Sequence, residues 1–185
     1  MSLHLVLAGC MPPFCWNARK MKTPQILHYS FDPKNKGRSD AEPEWKNKID
    51  RWYQLDEISF ALCEAAFAWQ QTGNLKSFDE LIFLSEGGSN LADAEFVATQ
   101  PTSPSKFVYT LANIAPSVFC HFLNWSGPVF CFCVFKNEFG ETTKKRALEM
   151  AFKKYEVNQT KTLILESIPR LNANGYRDVY GYFVS

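Results

Sequence analysis

Apolar residues in this chain come in two spacings, short unbroken runs and longer stretches where they recur every three or four positions, a pattern that predicts strands separated by helices. Leu3 to Ala8 reads as a first short buried strand. From Met11 to Glu44 the pattern dissolves. Pro12, Pro13, Pro24, Pro33 and Pro43, with the run Lys34-Asn35-Lys36-Gly37-Arg38, predict a largely irregular segment over 11–44, wrapped over the body and anchored at its end by Trp45 and Trp52. Leu55, Ile58, Phe60, Leu62, Ala65, Ala66, Phe67 and Trp69 crowd several helical faces, predicting a mostly buried helix from Leu55 to Thr72 that stops at Gly73-Asn74. Glu80 to Ser85 carries Leu81-Ile82-Phe83-Leu84, a buried strand running into a Gly87-Gly88 loop. A short helix follows over Asn90 to Gln100, capped by Ser89 or Asn90 and ended before Pro101.

Ser103-Pro104 suits a helix start, and the helix it opens is expected to be interrupted or kinked at Pro116. Gly127-Pro128 breaks the chain ahead of Val129 to Phe135, seven apolar or cysteine residues in a row, read as a strand buried on both faces. Thr142 or Thr143 can cap a helix with Ala147, Leu148, Ala151, Phe152 and Tyr155 on its packed side and Lys144, Lys145, Glu149, Lys153 and Lys154 on its wet side. Lys161 to Ile168 and Val179 to Val184 read as two further strands, and the turn residues Asn172 to Gly175 between them predict an antiparallel pair. Alternation of this kind argues for an α/β fold, a mixed sheet with helices covering its faces.

Size and charge narrow the picture. A length of 185 residues with 46% apolar composition suits one domain over 1–185. Lysine plus arginine number 20 against 19 acidic residues, so no large field of either sign draws the chain to nucleic acid or to an anionic membrane. No run approaches the ~20 apolar residues that span a bilayer. Six cysteines without a CxxC pair fit a reduced, cytoplasmic setting. Leu7-Ala8-Gly9-Cys10 has the form of a lipoprotein processing box, but the short apolar run and the lack of a basic start favour a strand ending in a turn.

The candidate chemistry is sparse. Cys131 and Cys133 share one side of a strand, about 6.6 Å apart, yet no His, Cys or Asp clusters with them, so packing is expected and no metal. Cys120 and His121 would point about 100° apart on a helix, one inward and one outward. Gly87-Gly88-Ser89-Asn90 could hold a coenzyme A phosphate on backbone amides, but without the spaced glycines or lysine of a phosphate loop it reads as a flexible turn. The basic run Lys34 to Arg38 could meet an acidic carrier protein or simply be solvated.

Two stretches resemble a known family. Ser103-Pro104-Ser105-Lys106-Phe107, continuing through Thr110 to Asn113, is similar to a segment of the β-ketoacyl synthase amino-terminal domain, of the thiolase-like superfamily. Gly127-Pro128 before an apolar strand resembles the Gly-Pro ahead of the nucleophile strand there, and the Asp79 to Ser85 strand with Gly87-Gly88 falls at the matching place upstream. The similarity covers roughly residues 50–185. It implies a thiolase-like half, a five-stranded mixed sheet covered by helices, in which the strand after Gly-Pro pairs across a dimer interface and leads to a catalytic cysteine. At that degenerate nucleophile position stands Lys136, in Phe135-Lys136-Asn137-Glu138. Condensation needs a thiolate to carry the acyl chain and histidines to stabilise the enolate. His4, His28 and His121 stand outside the family's catalytic positions, and Ala112 replaces the histidine that usually precedes Asn113. Lysines and an arginine between Lys144 and Lys154 suit a lone half with one helical face in water.

The resemblance therefore implies a non-catalytic, chain-length-factor-like subunit, without catalytic residues, cofactor or metal. Its partner would be an active ketosynthase of fatty-acid or polyketide biosynthesis (for example aryl polyene), or a second copy joined through the same strand, with acyl carrier protein as a further partner. The expected interface comprises Phe107, Leu111, Asn113, Val129, Phe130, Phe132 and Val134. The alternatives are a cysteine-dependent acyl-thioester transferase or hydrolase, and a stand-alone binder of acyl carrier or coenzyme A.

Overall fold

The computed structural model describes residues 23–36, 42–86, 97–98, 111, 113–134 and 139–185. Its first strand, β1, is Gln25–Phe31, inside the segment expected to be irregular. Leu27 and Phe31 are buried and Tyr29 half-buried, whereas Ile26, His28 and Ser30 are exposed. That is the alternation of a strand with one covered face, and Pro24 and Pro33 bound it rather than break it. The expected strand over Leu3 to Ala8 lies outside the described residues, as does the Asn90 to Gln100 helix apart from Val97 and Ala98, which are helical.

Helix α1, Glu57–Gln71, starts behind Asp56, whose carboxylate accepts the Ser59 N–H at 3.2 Å. It ends at Thr72 and Gly73, the latter at φ +67°. Phe60, Ala61, Leu62, Cys63, Ala65, Ala66 and Trp69 are all buried, as its crowded apolar faces require. Strand β2, Glu80–Glu86, follows. Helix α2, Ile114–Phe122, begins at the Asn113 cap position, so Pro116 sits in its first turn, while the Ser103-Pro104 helix start lies outside the described residues. Proline is tolerated in a first turn because the N–H it lacks has no helical acceptor there.

Strand β3, Val129–Val134, leads to helix α3, Phe139–Asn158, which starts three residues before the expected threonine caps. Strands β4, Thr162–Leu171, and β5, Arg177–Val184, complete the chain. The turn between them is the one its residues predict. Asn172 accepts the Asn174 and Tyr176 N–H groups on Oδ1, at 3.0 and 3.1 Å, and Gly175 takes φ +80°.

Among the described residues five strands form one mixed sheet in the order β1-β5-β4-β2-β3. β2 runs parallel to both β3 and β4, while β5 is antiparallel to β4 and β1. Helices α1 and α2 cover one face, where Phe60, Leu62 and Phe119 join Leu81, Phe83, Leu163, Leu165 and Phe183 in the larger core. Helix α3 covers the other, setting Ala147 and Ala151 over Ile82, Leu84, Ile164, Tyr182 and Val184. Arg177, 1% exposed, pairs with Glu57 and ties the start of β5 to the first turn of α1. Carboxylates are favoured at that helix end, so the pair satisfies two requirements together.

Candidate interaction edge

Strand β3 enters the sheet through a fixed corner. Trp125 donates its indole N–H to the Phe78 carbonyl at 3.1 Å, and its ring lies 4.7 Å from that of Phe78. A Cβ on Gly127 would stand 2.2 Å from Cζ2 of Trp125, so the glycine of Gly127-Pro128 is required by that indole. The Pro128 carbonyl then accepts the Leu81 N–H at 3.0 Å and sets Val129 opposite Leu81.

Among the described residues β3 has β2 on one side and no strand on the other, and the expected burial on both faces is not observed. Val129 and Phe130 are each 39% exposed and Phe132 36%, and Cys131 is exposed as well. The strand's composition is that of a central strand, but its place is at an edge. Phe130 and Phe132 stand beside Ile82 and Leu84 and so share the face of α3. Val129 and Cys131 stand beside Leu81 and Phe83 and share the face of α1 and α2. A strand with one open edge and apolar side chains on both faces is what strand addition by another chain exploits.

The sequence pattern puts Lys154 of α3 on the wet helical face, and the structure turns it inward. Its ammonium lies 4.6 Å from the Phe130 ring centroid and 2.6 Å from the Glu80 carboxylate, which is buried and also accepts the Thr162 hydroxyl at 2.8 Å. Lys144 does the same further along, bonded to Glu166 at 2.9 Å and placed over Tyr182 at 4.6 Å. Lys144, Ala147, Ala151 and Lys154 are spaced three, four and three apart, so the lysines extend the packed stripe and their stems lie along the sheet. Lys145, Arg146 and Lys153 are the exposed basic residues.

The other expected interface residues divide. Leu111, 47% exposed, and Asn113, exposed, lie just before α2, while β3 departs from beyond its other end. The Asn113 side chain caps nothing, whereas its carbonyl accepts the Ser117 hydroxyl at 2.7 Å. Phe107 and Lys136 lie outside the described residues, as does the side chain of Val134.

The thiols with resolved shifts are not primed for nucleophilic attack. Burial, then the neighbouring Glu64 and Asp56 charges, pushes the Cys63 thiol far above the usual range. Burial, followed by the influence of Cys131, pushes Cys120 up to about 11. Cys120 is buried and His121 exposed, as their adjacency on a helix requires. His28 lies on β1 at the opposite edge, bonded to Asp178 at 3.1 Å and stacked on Tyr180 at 4.7 Å. Among the described residues no cluster of three His, Cys, Asp or Glu could hold a metal, and no helix is long and apolar enough to cross a membrane.

Among the described residues the fold is a five-stranded mixed sheet with two helices on one face, one on the other and an apolar parallel strand at its edge, an α/β fold shared with a solved ketosynthase complex. Among solved structures the chain is similar to one described as the ketosynthase ApeO in complex with its chain length factor ApeC, from Xenorhabdus doucetiae. The TM-score is 0.54 at 11% identity, over 87% of this chain and 78% of that chain, so the match is between chains of similar length. No protein-family model and no curated protein matches the sequence.

Proposed function

We propose that this chain is a non-catalytic, chain-length-factor-like subunit that docks on an active β-ketoacyl synthase through β3. The observation that carries the proposal is the apolar edge strand, with Val129, Phe130 and Phe132 each more than a third exposed at the end of a sheet whose other parallel strands are covered. The similarity to a ketosynthase and chain-length-factor complex supports the partner's class. Lys136 at the degenerate nucleophile position, with the raised thiols of Cys63 and Cys120, supports a role without condensation chemistry. Fatty-acid or polyketide biosynthesis in the cytoplasm is the setting this reading entails.

Coexpression with a ketosynthase encoded beside it tests the reading. The two should copurify, and Phe132→Asp should abolish the complex, because the new carboxylate would be buried without a partner charge. The single variant should remain folded, since Phe132 is partly in solvent already. A chain that stays monomeric beside that ketosynthase would sink the proposal, and association with itself alone would replace the heteromeric partner with a second copy.

A further inference from the structure

A separate cleft of about 450 Å³ opens on the other side of the molecule, between β1, α1 and the segment around Pro43 to Trp45. Its size is that of small-molecule sites, and its lining is shared between aromatic rings and polar or acidic side chains. Phe60 and Trp45 are buried in its wall, with ring centroids 5.1 Å apart, and Tyr29, Phe67 and Tyr176 present partly exposed rings. Glu64 stands among them, half-buried.

Both oxygens of Glu64 are held. Trp45 donates its indole N–H to one at 2.9 Å, and Tyr29 donates its hydroxyl to the other at 3.1 Å. Both donors are neutral, so they orient the carboxylate without cancelling its charge. Among the described residues Glu64 makes no ion pair. The uncancelled charge is felt locally, since burial first and Glu64 second drive the Tyr29 hydroxyl well above the ordinary phenol range. At the mouth, Glu42 is paired with Lys46 and Asp32 caps the backbone N–H of Lys34, while Glu44 is exposed, and among the described residues no lysine or arginine lines the cleft. A negative, aromatic-walled cavity has one complementary guest: a cation that carries its own apolar surface.

We propose that this cleft binds a small organic cation, an ammonium on a short apolar stem, with the charge at Glu64 and the stem against Tyr29 and Phe67. An anionic or neutral guest of the same shape would leave that carboxylate opposed or unused. The site stands apart from β3, so occupation of one is not a condition for the other.

Calorimetric titration of the full chain with n-butylammonium, 1-butanol and butyrate, at constant ionic strength, tests this. The ammonium should bind saturably and raise the melting temperature, the alcohol should bind at least about ten-fold more weakly, and butyrate not at all. Glu64→Gln should remove the preference for the ammonium, since its amide oxygen keeps the Trp45 bond and its NH2 can donate to the Tyr29 hydroxyl, so that the contacts stay and the charge is lost. Equal responses to ammonium and alcohol would reduce the cleft to an apolar slot, and no response would leave Glu64 as a clamp between β1 and α1. Either outcome overturns the proposal, as does unchanged ammonium binding by the glutamine variant. The comparison of the three probes on the unaltered chain decides the matter if that variant fails to fold.

Discussion

At the scale of single residues, Gly127 shows how a motif and a steric constraint can coincide. Its pairing with Pro128 carries part of the family resemblance, and the contact with Trp125 gives it a local reason to be glycine. Gly127→Ala should destabilise the chain by about 1–3 kcal/mol, read as a lower urea midpoint, because the Trp125 ring is anchored to the Phe78 carbonyl and cannot easily give way. Cys120 bears on the cysteine-enzyme alternative. With its thiol raised to about 11, only a trace is thiolate near neutral pH, so alkylation of Cys120 in the folded chain should be slow there. Its rate should climb steadily as pH rises toward 11, and fast labelling of Cys120 near neutrality, mapped by peptide mass, would contradict the burial that raises it.

At the scale of elements, β3 and α3 depend on each other through Lys154. Replacing it with alanine leaves the buried Glu80 carboxylate, among the described residues, with the Thr162 hydroxyl as its side-chain donor, and should cost about 1–3 kcal/mol in urea unfolding. Lys154→Arg, which keeps the charge, should recover much of that loss. The elements themselves were largely legible. α1, β2 and the β4–β5 hairpin fall within a few residues of their sequence-based positions because crowded apolar faces, a short apolar run and an Asn-Gly turn are local signals. β1 was not legible, since five prolines drew the reading away from the modest alternation of Leu27, Tyr29 and Phe31. The edge position of β3 could not be read either, because seven apolar residues look alike whether a second strand or a second chain covers them. Lys144 and Lys154 were misplaced for a related reason: a polar letter says nothing of where a four-carbon stem lies.

At the scale of the whole molecule, the two edges of the sheet are built differently. β1 is fastened to β5 by Asp178, which accepts from Ser30 at 2.6 Å and from Asn172 at 3.2 Å, with His28 at 3.1 Å. Burial alone would raise this carboxyl, but the hydrogen bonds from Ser30, His28 and Asn172 prevail and hold it below its usual value. A lowered carboxyl stabilises the fold when ionised, so its contribution is complete above the ordinary carboxylate range and is lost as pH falls through the lowered value. The stability gap between the native chain and Asp178→Asn should therefore be full at neutral pH and close in acid, as a series of urea unfolding curves would record. A gap that does not change with pH would mean that Asp178 acts by shape and not by charge.

This difference between edges also limits how far the sheet can grow. On the proposed reading β3 offers a rim apolar along its length, whereas among the described residues β1 offers a rim that sets one exposed aliphatic side chain, Ile26, beside His28 and Ser30. Two halves joined at β3 would each end in a β1, and neither free end repeats the surface that made the join. Assembly then terminates at a pair, because the molecule has one adhesive border and a fibre would need two.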